Sequence, residues 1–392
     1  MNILKFPSGF LWGSAVSSYQ VEGGIENCDW SRDYPAGRAC DYYNQYERYF
    51  DMAKELNQNI HRMSLEWSRI EPEEGKFDKE AIGHYRKILL ALKARGMKSM
   101  VTIWHWTNPV WFSAKGGWEN PKSSEDFTRF VKFAVSELGG NVDLWITLNE
   151  PMVNVSEGYL RGNHPPFKKN IFAAAKVYLN FKAAHRKTYG IIHDLDQKAR
   201  VGIAYNSAYV KPANKNSIME KIGVFVWDHI RNHMFLDEIK KESDFIGLNY
   251  YFLDTIRFDP LKFPFLAIDN RTEDGSDMGW EIYPEGIYHV LKDLKKRYNK
   301  PVYITENGIA DAQDKKRAKY IVDHLNWTYK AISEGVDVGG YFYWSLLDNF
   351  EWTYGFSKRF GLIEIDFNTL EAKIRPSAYE YAKICKNNFL MV

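Results

Sequence analysis

The sequence predicts an α/β protein built as one closed (β/α)8 barrel domain over residues 1–392. Three features point there. Short runs rich in β-branched and aromatic residues recur eight times, and helical segments lie between them. The runs are mostly apolar, as in Val201-Gly-Ile-Ala and Phe245-Ile-Gly-Leu, which suits strands covered on both faces of a parallel sheet. No Pro- or Ser-rich linker, low-complexity tract or short tandem repeat breaks the alternation. An open doubly wound sheet is the structural alternative. No G-x-G-x-x-G or G-x-x-x-x-G-K-[ST] follows any run, which weighs against it.

The first run, 9–18, leads to a helical segment over Tyr43–Leu56. The second, 59–65, leads to Asp78–Arg95, where Ile82, Tyr85, Ile88, Leu89 and Leu92 share one face and Lys79, Glu80, Arg86 and Lys87 fall largely off it. The third and fourth, 98–105 and 142–149, precede Ser123–Leu138 and Ile171–Tyr189. The fifth, 199–206, has the weakest partner, a helix somewhere in 217–240. The sixth, seventh and eighth, 244–251, 301–307 and 339–346, precede Pro284–Arg297, Asp314–Ser333 and Ser377–Asn387.

Composition narrows the function. Lys and Arg total 52 against 50 Asp and Glu, a net charge of +2, so neither nucleic acid nor an anionic membrane is the expected partner. With 45% hydrophobic and 26% charged residues the chain is not disordered. Cys28, Cys40 and Cys385 are too few for a disulfide scaffold. Cys28 and Cys40 could pair, but the odd count fits a reduced compartment, so the expected location is cytoplasmic. The opening Met-Asn-Ile-Leu-Lys-Phe-Pro does not read as a signal peptide, and no apolar run reaches the ~18 residues of a membrane span. Sequons at Asn154, Asn270 and Asn326 read as chance matches. The 13 Trp and 25 Tyr suit both a core and stacking against sugar rings.

In such barrels the chemistry sits at the C-terminal strand ends. Those ends carry Ser17 to Gln20, Arg62, His105-Trp106, Asn149-Glu150-Pro151, Asn249-Tyr250-Tyr251, Glu306-Asn307-Gly308, and Trp344 followed by Asn349-Phe350-Glu351-Trp352. Glu150 and Glu306 each follow a hydrophobic strand and precede a breaker. Strands four and seven face each other across the mouth, and a facing carboxyl pair is the minimal apparatus for cleaving a glycosidic bond. One carboxyl must be protonated and the other ionised; repulsion and differing surroundings push them apart. Arg62, pointing inward, would keep one of them charged. A lone Glu would ordinarily be a solvated loop residue or a structural ion pair; two at matching strand ends amid Asn, His, Gln and Trp are not. His229 and His233 are four apart, as metal ligands on a helix would be, but no third ligand is evident and no metal is expected.

These strand ends are recognisable. Thr-Leu-Asn149-Glu150-Pro151 and Ile-Thr-Glu306-Asn307-Gly308 resemble the two signature motifs of glycoside hydrolase family 1, the β-glucosidase family. The resemblance runs through Phe10-Leu-Trp-Gly-Ser-Ala, Ser18-Tyr19-Gln20-Val-Glu-Gly, Arg62-Met-Ser-Leu-Glu-Trp-Ser-Arg-Ile, Gly116-Gly-Trp-Glu-Asn, Asp244 to Tyr251, Trp344 to Trp352 and Arg359-Phe360-Gly-Leu. It implies a retaining double displacement with Glu150 as acid/base and Glu306 as nucleophile, their carboxyls about 5 to 5.5 Å apart. It further implies that Gln20, His105, Trp106, Asn149, Glu351 and Trp352 bind the sugar, that Trp344 floors its ring, and that Arg62 and Tyr251 hold the nucleophile, with Tyr251 also at the substrate. Phe360 reads as packing.

The implied substrates are small β-glycosides or oligosaccharides, β-D-glucosides first and β-D-galactosides and β-D-fucosides next, with no cofactor. Glu351 disfavours phosphorylated sugars and an intact Glu150 disfavours thioglucosides. A transglycosidase using the same intermediate, or a non-catalytic sugar-binding protein, are the rival readings; self-association stays open. The chain departs from the family in length. The step from His233 to Asp244, the stretch after Gly308 and the piece between Gly23 and Cys40 are brief, and Gly162-Asn-His164-Pro-Pro-Phe follows the family's Gly-x-His-x-Pro-Gly only loosely. Trimmed loops predict an open aglycone side, with 207–243 the least legible region.

Overall fold

The apolar runs become the staves of a barrel. The computed structural model describes residues 3–261, 266–272 and 275–391. Among the described residues eight parallel strands close on themselves: β1 (Leu11–Ala15), β2 (Ile60–Ser64), β3 (Lys98–Trp104), β4 (Leu144–Asn149), β5 (Val201–Asn206), β6 (Phe245–Asn249), β7 (Val302–Asn307) and β8 (Val338–Trp344). Each pairs with its neighbours in sequence, and β8 pairs with β1. The predicted runs overlay all eight. Inside the ring Leu11, Ile60, Met100, Ile146, Phe245 and Phe342 fill the barrel as one cluster. The opposite faces pack on helices, which is why the strands read as continuous apolar runs.

Among the described residues the α-helices longer than five residues are α1 (Tyr42–Glu55), α2 (Lys79–Ala94), α3 (Ser123–Leu138), α4 (Ile171–Leu195), α5 (Ile218–Asp228), α6 (Met234–Ile239), α7 (Glu285–Tyr298), α8 (Arg317–Ser333) and α9 (Pro376–Asn387). Helix α2 shows the logic. Asp78 caps it, accepting from the backbone N–H groups of Glu80 and Ala81 at 2.8 and 3.0 Å. The predicted face of Ile82, Tyr85, Ile88, Leu89 and Leu92 is buried. Each aliphatic side chain so placed contributes about 1.5–3 kcal/mol, more than helix propensity can. Helix α4 runs past the predicted end at Tyr189 because Gly190 continues the helix and Ile192 is buried beyond it.

The fifth unit is the irregular one. Helix α5 leads through a π-helical turn, His229–His233, into the short α6. A small sheet absent from the sequence prediction joins Tyr209–Pro212, Leu253–Phe258 and Leu266–Asp269 just beyond the ends of β5 and β6. Ile3–Lys5 pairs with Phe389–Met391, tying the two ends of the described chain together. All three cysteines are free and buried, so Cys28 and Cys40 do not pair. Among the described residues no helix is long and apolar enough to cross a membrane.

Candidate active site

The strand ends converge on a cavity of about 830 Å³. Of the residues expected there, Glu150, Glu306, Glu351, Asn149, His105, Trp106, Tyr251, Trp344 and Trp352 line it. Gln20 and Arg62 do not line it and stand one layer behind, fully enclosed. Phe360, expected as packing, lies against Tyr251 and Trp280 and also lines the cavity.

Glu150 follows the last residue of β4. Pro151 opens a short helix, which leaves Glu150 left-handed at φ 46°, ψ 55°. That conformation costs a non-glycine residue on the order of 1–2 kcal/mol. It is held by the Glu150 N–H donating to the Ala204 carbonyl at 2.8 Å. At the carboxyl, Asn249 Nδ2 and Asn206 Nδ2 both donate to Oε1, at 2.7 and 3.0 Å. Oε2 is left as the oxygen open to carry a proton. Burial, then repulsion from Glu306, push Glu150 up to about 7 against the opposing pull of the two amides and Arg231. It is a carboxylic acid able to give a proton near neutrality.

Glu306, near the end of β7, has the opposite surroundings. Arg62 Nη1 donates to its Oε1 at 2.5 Å and the Tyr251 hydroxyl to its Oε2 at 2.6 Å. The two donors fix the orientation of its carboxyl group. The two glutamates are also joined through hydrogen bonds. Arg62 Nη2 donates to Asn149 Oδ1 at 2.7 Å, and Asn249 Nδ2 donates to that same oxygen at 3.2 Å while holding Glu150. Gly308 keeps the rim closed, since a Cβ there would meet the Trp344 carbonyl oxygen at 1.8 Å.

The remaining groups suit hydroxyls and a ring face. Asn149 Nδ2 donates to His105 Nε2 at 3.1 Å, and His105 is kept neutral by burial and then by Arg62. Its Nδ1 has no hydrogen-bond partner among the described residues. Gln20 Nε2 donates to Glu351 at 3.2 Å, and Gln20 Oε1 accepts from Ser17 at 2.6 Å. Burial and then Glu306 push Glu351 up to about 8, against the pull of the Gln20 amide. The Trp344 ring stacks near His105 with centroids 6.1 Å apart, and Trp352 packs on Trp106 at 4.7 Å.

Sequence reasoning missed Asn206 and Arg231. Asn206 ends its run as Asn149 and Asn249 end theirs, and that position was its signal. Arg231 donates to Asn206 Oδ1 from the π-helical turn, where no pattern marks it. The His229/His233 spacing does not make a metal pair. His233 Nε2 lies 2.7 Å from Asp293 and 3.4 Å from Asp228, and its Nδ1 is 3.0 Å from the Tyr298 hydroxyl. Among the described residues these three, Asp228, His233 and Asp293, are the one group near enough to share an ion. Burial pulls His233 down, but the two aspartates outweigh it and push it up to about 9, so the imidazole is itself the cation between them.

Known proteins resemble this chain in sequence and fold. The model for "Glycosyl hydrolase family 1" matches residues 3–241 and 229–389. β-Glucosidase A of Thermotoga maritima is 35% identical, with 100% of each chain covered. The β-glycosidase from Pyrococcus horikoshii superposes with a TM-score of 0.94 at 38% identity, covering 100% of this chain and 97% of that one. The Thermotoga maritima β-glucosidase in complex with glucoimidazole superposes at 0.92 and 33% identity, covering 98% and 99%. With its sequence matched along nearly its whole length and its strand ends gathered around one carboxyl-lined cavity, the chain belongs to glycosyl hydrolase family 1 and is a glycosyl hydrolase.

Proposed function

We propose that the protein is a retaining β-glycosidase that removes terminal β-D-glucosyl residues, with β-D-galactosyl and β-D-fucosyl residues next, through a covalent intermediate on Glu306. One observation carries this. Two buried glutamates share a cavity, one pushed up to about 7 and the other held by Arg62 and Tyr251. In the first step a Glu306 oxygen bonds to the anomeric carbon as that carbon's bond to the aglycone oxygen breaks, and Glu150 gives that oxygen its proton. Esterified Glu306 carries no charge, so its repulsion of Glu150 disappears and Glu150 becomes a carboxylate able to accept a proton. In the second step Glu150 takes a proton from water, the water oxygen bonds to the anomeric carbon, and the ester to Glu306 breaks.

Asn149 can hold a 2-hydroxyl, a contact that strengthens as charge develops at the anomeric carbon. Glu351, held from behind by Gln20, is placed for hydroxyls farther round the ring, and Trp344 for its apolar face. The relatives named as β-glucosidases and the sugar-like ligand in one of them support the substrate class. Three free, buried cysteines are in keeping with a cytoplasmic location. The test is a panel of nitrophenyl β-glycosides with the released sugar followed by NMR. Initial release of the β-anomer is expected; initial release of the α-anomer would overturn the double displacement.

A further inference from the structure

Helix α5 is inside out. Its acidic residue Glu220 is 6% exposed and turned inward, accepting from the backbone N–H groups of Asn214 at 2.5 Å and Phe258 at 3.1 Å. Its apolar residues face out. Ile218, Ile222 and Val226, continued by Ile230 in the π-helical turn that follows, stand at four-residue steps, which sets them in a row, and their exposures are 72, 54, 45 and 37%. The row is most open at its far end and least open at Ile230. Ile230 lines the active-site cavity, as do Trp227 and Arg231 beside it. Phe225, 77% exposed, flanks the row. At 1.5 Å per residue the ladder runs roughly 18 Å outward from the cavity rim. An apolar stripe of this kind normally faces a core. Exposed at a cavity mouth, it marks a binding surface.

We propose that this ladder seats the aglycone of the substrate, and that the aglycone is a long, unbranched apolar chain: the enzyme takes alkyl-type β-glycoside amphiphiles. The inference rests on the glycosidase reading above and specifies its leaving-group side. The four residues of the row are aliphatic and β-branched and offer no hydrogen bond. An oligosaccharide laid along them would leave its hydroxyls against apolar surface, which costs free energy, whereas a methylene chain gains with every carbon it covers. The cavity supplies the polar end for the sugar, and Ile230, which belongs to both the row and the cavity lining, joins the two.

The experiment is kcat/KM for linear alkyl β-D-glucosides of increasing chain length, each below its micelle concentration, beside 4-nitrophenyl β-D-glucoside. A chain half-covered on an open face should gain about twofold per methylene, with about fourfold the limit for full burial. The Ile222→Ser/Val226→Ser double variant should flatten that rise while leaving 4-nitrophenyl glucoside turnover within about twofold. A flat wild-type profile with good nitrophenyl glucoside turnover would overturn the proposal and leave the glycosidase reading in place. No turnover of any glycoside would overturn both. A rise in the wild type that the double variant keeps would also overturn it, since the chain would then lie elsewhere. So would a concentration-dependent dimer that the double variant abolishes, because the face would belong to a second copy.

Discussion

Replacing Glu150 with alanine separates acid catalysis from everything else the site does. In the wild type the proton on Oε2 has a pKa of about 7, so kcat/KM should fall tenfold per pH unit above neutrality. Alanine removes the carboxyl oxygen that Asn206 and Asn249 donate to, though Asn249 keeps Asn149 Oδ1, and leaves Arg62, Tyr251 and Glu306 in place. Bond cleavage then depends on the leaving group. Alkyl glucosides need the proton and should lose roughly 100- to 10,000-fold, the usual range for one general acid. A dinitrophenyl glucoside needs almost none and should lose less than about tenfold in kcat/KM. The assay is kcat/KM against leaving-group pKa across pH 5 to 9. The slope should steepen in the variant and the basic limb should vanish. Equal slowing of good and poor leaving groups would refute the assignment of Glu150 as the acid.

Glu306→Ala should abolish hydrolysis, and added azide should restore turnover of activated substrates to give an α-glycosyl azide by NMR. Gly308→Ala would force a Cβ to within 1.8 Å of the Trp344 carbonyl, so chemical denaturation should show a loss of about 3 kcal/mol or more. The His233 cluster sets a pH dependence of stability. Its folded pKa of about 9 lies above the ordinary imidazole value of 6.5, so its stabilisation is full below about 6.5 and lost as pH rises through 9. Asp293 is half-exposed, which discounts the gain to roughly 2 kcal/mol, and Asp293→Asn should remove most of it in melts at pH 6 and much less at pH 10.

The barrel was legible because its strands are buried on both faces and its helices keep one apolar face each. Glu150 and Glu306 were legible because strand ends in a ring of eight have fixed neighbours. Depth was not: spacing puts Gln20 and Arg62 at the mouth but cannot say that they stand behind Glu351 and Glu306. The rim was read least well. Its small sheet mixes polar residues among apolar ones, as in Leu253 to Phe258, without strict alternation or a continuous apolar run. Helix α5 reverses the usual rule by burying Glu220 and exposing Ile218, so periodicity gave no usable face. Arg231 follows from that helix and shared its obscurity.

The central claim is that Glu306 bonds covalently to the sugar. Incubation with a 2-deoxy-2-fluoro-β-D-glucosyl fluoride, followed by proteolysis and mass spectrometry, tests it directly. The account predicts time-dependent inactivation with one fluoroglucosyl group per chain, on the peptide that contains Glu306. Reversible inhibition with no adduct, or an adduct on a different residue, would contradict it.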